Sequence, residues 1–185
     1  MNQPNPLPPA GAAATDGTAA PLIDADPHDP RALRTAFGCF ATGVTVVSGC
    51  TPDGARVGLT ANSLTSVSLA PPLLLFCPAR AASALPALRV TGRFVVNVLT
   101  TDAEHVATRF TKRGIDRFAE AAWEEWDGLP VLSNAMASFV CAFHAEHDGG
   151  DHAIVVGRVE RLRYRTAPDP LLYFQGRYRR VHVPH

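Results

Sequence analysis

GLTANSLTSVSLAPPLLLFC, residues 58–77, decides how the rest of this chain is read. It opens as a strand, with Leu59 and Ala61 alternating against Thr60 and Asn62. Hydroxyls then crowd in at Ser63, Thr65, Ser66 and Ser68. The alternation slips at Leu64, which predicts a bulge or a turn away from the sheet there. Pro71-Pro72 breaks the strand, because proline donates nothing to a central ladder. Residues 73–77 follow as an apolar run fit for a buried strand. Small polar side chains beside so buried a strand either satisfy a bulged backbone or let a ligand approach the main chain.

Upstream, residues 44–49 and 55–60 read as strands joined by Thr51-Pro52-Asp53-Gly54. Proline at the second turn position and glycine at the fourth suit a type I turn. Asp29-Pro30 starts a helix, an acidic cap followed by proline at the first helical position. Leu33, Ala36, Phe37 and Phe40 repeat as one apolar face, and Gly43 stands where that helix would end. Residues 1–28 are rich in Pro, Ala and Gly without periodicity, which predicts a disordered tail and leaves 29–185 as the folded domain.

Downstream, 83–91 reads as a short helix closed by Gly92, and 93–99 as a strand. Thr101 and Glu104 have the spacing of a capping box for a helix reaching Phe110. Residues 112–130 read as an irregular loop. The long strands 136–147 and 153–164 are joined by a glycine-rich turn at 147–151, and 170–181 closes with a strand and edge. Hairpin-linked strands with a few short helices and no βαβ alternation predict a mainly β fold, an antiparallel barrel with helices at its openings.

Composition narrows the function classes. Lys+Arg and Asp+Glu balance at 17 each, so no global field favours nucleic acid or an anionic membrane. No apolar run is long enough to span a bilayer, and no secretory pattern opens the sequence. Cys39, Cys50, Cys77 and Cys141 form no C-x-x-C and read as buried free thiols of a reducing, cytoplasmic compartment. No dinucleotide-binding glycine motif, phosphate-binding P-loop or G-x-S-x-G elbow is present. His144 and His147, three apart on a strand, face opposite sides, so no metal site is predicted from them.

TGVTVV (42–47), the opening stretch (58–77), RFVVNVL (93–99), GDH (150–152) and PLLYFQGRY (170–178) occur in that order. Together they make residues 29–178 resemble the flavin reductase-like family. These are short-chain NAD(P)H:flavin oxidoreductases that supply reduced flavin to two-component monooxygenases. The resemblance implies a six-stranded antiparallel split β-barrel of the FMN-binding type. It also implies a homodimer, FMN or FAD near the subunit interface, and NADH or NADPH as hydride donor.

Site residues follow from the same resemblance. Thr60, Ala61, Asn62 and Ser63 match the segment against the flavin ring and ribityl chain, and Ser66, Val67 and Ser68 the segment along the ring's edge. The phosphate stretch reads CPARAASA, residues 77–84. Cys77 opens it, Arg80 supplies a cation, and Ser83 a donor and a helix cap. Ala81, Ala82 and Ala84 stand where hydroxyls are usual, which argues against tight prosthetic flavin and leaves FMN and FAD both open. Arg117 can reach the phosphate and Phe118 can cover the site. His152, of the GDH motif, would contact the nicotinamide as the catalytic residue, with Tyr178 flanking the same mouth. The alternative is a flavin-binding redox sensor or carrier barrel without reductase activity.

Overall fold

The computed structural model describes residues 20–166 and 169–181. Most of the predicted tail, 1–28, lies outside the described residues. The chain divides between Arg34 and Thr35. Helix α1 (Pro30–Phe37) starts as expected, with the Asp29 carboxylate accepting the Arg31 N–H at 2.9 Å. It stops at Phe37, well before Gly43, because residues 42–43 are already strand.

The strands before the first long hairpin are β1 (Thr42–Gly43), β2 (Thr45–Cys50), β3 (Arg56–Ala61), β4 (Thr65–Leu69) and β5 (Pro72–Phe76). Helix α2 (Leu85–Thr91) and β6 (Arg93–Val98) follow, then a short 3-10 turn (Thr101–Ala103) and α3 (Glu104–Thr111). Next come β7 (Trp123–Trp126), β8 (Leu129–Leu132), β9 (Ala137–Gly149) and β10 (His152–Tyr164). The last elements are β11 (Leu172–Phe174) and β12 (Arg177–Arg179). The main sheet has seven antiparallel strands in the order β3-β2-β6-β9-β10-β5-β4. Its core draws Val47, Ala61, Leu74, Phe76, Phe94, Val96, Cys141, Ala153 and Val155 from six of these strands, capped by Leu85 and Leu88 of α2.

Several elements differ from the expectation, each for a local reason. The seventh strand is the hydroxyl-rich half of the opening stretch. Residues 62–64 break the strand, the turn away from the sheet expected at Leu64, and 65–69 return to pair outside β5 with a bulge of their own between Ser66 and Ser68. The loop 112–130 contains a hairpin, β7–β8, turned by Asp127 and Gly128 at φ of 52° and 79°. That Asp-Gly pair is a hairpin signal in its own right. The expected capping box does not form: Thr101–Ala103 is a 3-10 turn, and Ala103 precedes α3 without a side-chain cap. Likewise α2 starts at Leu85 with Ala84 as its cap, not Ser83. Among the cysteines only Cys141 is buried, its thiol pushed up to about 12 by burial. Cys50 and Cys77 are half-buried and Cys39 is exposed.

A buried polar cluster joins four strands. The Asn97 amide of β6 donates to the Val46 carbonyl at 3.1 Å and the Ser48 hydroxyl at 3.0 Å. Its carbonyl accepts from the Leu132 N–H at 3.0 Å and the Ser138 hydroxyl at 3.1 Å. Ser48 donates onward to the Pro130 carbonyl at 2.6 Å. Every polar atom of the Asn97 side chain is thus satisfied, the condition under which such a group can stand in a core.

Gly58 lets α3 sit directly on β3. A Cβ there would meet the Phe110 ring at 2.6 Å and the Val47 carbonyl at 2.8 Å, both contacts too short to hold. Gly58→Ala is therefore expected to cost about 1–3 kcal/mol in a urea unfolding measurement, as overpacking does elsewhere. It should also weaken flavin binding, because Phe110 walls the cleft described next.

Candidate functional site

β3 is a terminal strand of the sheet, so its outer backbone edge has no ladder partner among the described residues. Helix α3 lies against it, pinned by the Thr60 hydroxyl donating to the Ala107 carbonyl at 2.7 Å. Between this edge, the end of α3 and the loop before α2 runs a cleft of about 510 Å³. Thr60, Ala81, Ala82, Ser83, Thr111, Arg113 and Arg117 line it. Through Thr60 and Thr111 it continues into a hollow of about 210 Å³ walled by Asn62, Tyr173 and Tyr178. The two tyrosine rings pack edge to face at 5.6 Å across the β11–β12 hairpin. Burial pushes the Tyr178 phenol above the ordinary tyrosine range.

The cleft has a cationic end. Arg117 Nη1 donates to the Gly58 carbonyl at 3.1 Å and the Ser83 hydroxyl at 3.4 Å, while its Nε donates to the Lys112 carbonyl at 2.9 Å. These neutral partners fix the guanidinium without cancelling its charge, and Arg117 has no ion pair among the described residues. Arg113, on the same wall, is exposed. The alanines at 81 and 82 leave this end open down to the backbone.

Of the residues singled out from the sequence, Thr60, Asn62, Ser83, Arg117 and Tyr178 come together along this cleft. The others stand elsewhere. Arg80 is tied to the β9–β10 turn, its guanidinium paired with Asp148 and donating to the Gly150 carbonyl at 2.8 Å. Ser63 is a staple, its hydroxyl accepting the Cys77 N–H at 2.8 Å, and Ala61 is buried in the core. Burial also pushes the Cys77 thiol up. Ser66, Val67 and Ser68 lie on the outer strand β4, and Val67 is 48% exposed. Phe118 packs against Phe110 and Trp123 at ring separations of 5.0 and 4.8 Å. His152 opens β10 beside Ala79, with Nδ1 2.6 Å from the Asp151 carboxylate. Sequence reasoning passed over Thr111 and Arg113. The run Lys112-Arg113-Gly114, straight after a helix end, is the signal that could have found them.

The family model for the flavin reductase like domain matches residues 37–182. The chain belongs to the flavin reductase-like family. The FMN reductase (NADH) SmoA of Agrobacterium fabrum is 44% identical, over 83% of this chain and 87% of its own. HsaB of Rhodococcus jostii, the reductase subunit of a flavin-dependent monooxygenase, is 39% identical over 84% of this chain and 80% of its own. In structure, the NADH:FAD oxidoreductase of Streptomyces globisporus superposes with a TM-score of 0.84 at 37% identity, covering 89% of this chain and all 100% of that one. The cleft suits the family's ligand. A strand edge can meet the polar rim of a flat ring, and the fixed, unpaired guanidinium of Arg117 suits a phosphate.

Proposed function

We propose that this chain is an NAD(P)H:flavin oxidoreductase that binds a flavin along β3, reduces it and releases it to a partner monooxygenase. The observation that carries this reading is the cleft itself, with an open strand edge and small walls along its length and uncancelled positive charge at one end. Bound flavin supplies the hydride acceptor, and the protein supplies position and shelter from water. Thr60 and Asn62 flank the ring, with Tyr178 at its far end. Ser83 and Arg117, helped by Arg113, hold the phosphate, a role that Arg80 is less able to fill because Asp148 neutralises it. Ser66, Val67 and Ser68 belong to a dimer's shared edge rather than to the single-chain cleft, consistent with the exposed Val67 and Leu69 of β4. The split barrel of this reading consists of the six strands that share the central core, with β4 as an added outer strand. Among the described residues no helix is long and apolar enough to cross a membrane, and we place the protein in the cytoplasm.

His152 is assigned to the nicotinamide. It stands at the rigid start of β10, next to the loop that leads to Ser83. His152→Ala is expected to raise KM for NADH or NADPH several-fold while flavin affinity changes little. Equal losses in both, or none, would reject the assignment. The release step separates a reductase from a sensor or carrier. After anaerobic reduction by NADH, reduced flavin is expected in the filtrate of an ultrafiltration membrane that holds back the protein. Flavin retained with the protein, unreduced by either nicotinamide, would favour the sensor or carrier.

A further inference from the structure

The cleft does not end at Arg117. Ser83, Gly114 and Arg117 are shared with a further compartment of about 280 Å³, walled by Arg56, Ile115, Asp116 and Phe118. Its loop is held in shape from two sides. Arg109 Nε donates to the Asp116 carbonyl at 2.8 Å, and the Asp116 carboxylate accepts the Phe118 N–H at 2.9 Å. Arg56 reaches over the Phe118 ring at 6.0 Å and has no ion pair among the described residues.

We propose that this compartment takes the second phosphate and adenosine of FAD, so that the chain selects FAD over FMN, with Arg56 as the selecting residue. The inference rests on the flavin reductase reading of the main cleft. FMN ends in one phosphate, which Arg117 and Ser83 already accommodate, and nothing in FMN reaches beyond them. FAD carries a second anionic phosphate past that point, and Arg56 is the next cation along the wall. The Asp116 carboxylate repels a phosphate but accepts hydrogen bonds from ribose hydroxyls or an adenine amino group. Ile115 and Phe118 offer the apolar surface that a base covers.

The test is equilibrium calorimetry of FAD, FMN and riboflavin with the full chain, followed by the same titrations on R56A. FAD is expected to bind about tenfold tighter than FMN, with R56A lowering FAD affinity about tenfold and FMN affinity not measurably. I115W, on the exposed loop, fills the compartment and is expected to act as R56A does, a steric check independent of charge. Equal FAD and FMN affinities in the unaltered chain would overturn the proposal. So would an R56A effect shared equally by FMN and FAD, or no R56A effect on either. Failure of all three flavins to bind would overturn the flavin reading itself, and this proposal with it.

Discussion

Arg117→Ala is expected to weaken binding of the phosphorylated flavins by about 2 kcal/mol, roughly thirtyfold, and to leave riboflavin affinity nearly unchanged. The guanidinium is held by the Gly58 and Lys112 carbonyls and the Ser83 hydroxyl, none of which carries charge. It is therefore a cation positioned in advance and left electrically unspent, which a phosphate dianion can use without first breaking an ion pair. Arg80 makes the contrast. Its pairing with Asp148 would have to be given up, so Arg80→Ala should weaken FMN and FAD far less than Arg117→Ala does. Riboflavin is the control for structural damage, because it fills the ring site and lacks the phosphate. Comparable losses for riboflavin and FMN in Arg117→Ala would mean that the residue shapes the loop rather than binding the anion.

Asn97→Leu is expected to cost at least about 3 kcal/mol of folding stability by urea denaturation. The leucine branches at the same carbon and is the larger side chain, so none of the loss comes from a cavity. The loss comes from stranded partners in a fully buried site: the Leu132 N–H and the Ser138 hydroxyl lose their acceptor, and the Ser48 hydroxyl loses its donor. Because the cluster joins β2, β6, β8 and β9, it also fixes where the β7–β8 hairpin sits against the sheet. Replacing Ser48 and Asn97 together should cost less than the sum of the single changes, since each strands the other. Strict additivity would mean that the two side chains do not act as one network.

Much of the fold was legible because its strands follow hairpin chemistry. Thr51-Pro52-Asp53-Gly54 and Gly150-Asp151 marked their turns, and the strands around them fell close to where the alternation put them. What escaped was governed by tertiary pairing. Residues 65–69 alternate Val67 and Leu69 against Ser66 and Ser68, but β4 is a short edge strand whose apolar side stays exposed, so only its pairing with β5 reveals it. Asp127-Gly128 is a legible hairpin signal, hidden in a segment, 112–130, whose composition reads as one irregular loop. The site was half legible. Thr60, Asn62, Ser83, Arg117 and Tyr178 are far apart in sequence, and the resemblance grouped them before the cleft did. The place of Arg113 on the cleft wall and the pairing of Arg80 were illegible for one physical reason: whether an arginine is free to bind an anion depends on which carboxylate folds beside it, and Asp148 lies a whole strand system away from Arg80. Hydroxyl density had the same weakness, because Thr60 and Ser63 spend their hydroxyls on Ala107 and Cys77 backbone atoms.

The central claim is that this chain passes hydride from a reduced nicotinamide to a flavin held along β3. The most direct test is nicotinamide oxidation by the purified full chain, followed with NADH and with NADPH as FMN, FAD or riboflavin is added. The rate should rise from near zero and saturate with flavin, and Arg117→Ala should shift saturation to higher concentration for FMN and FAD but not for riboflavin. Nicotinamide oxidation that does not depend on any of the three flavins would contradict the account.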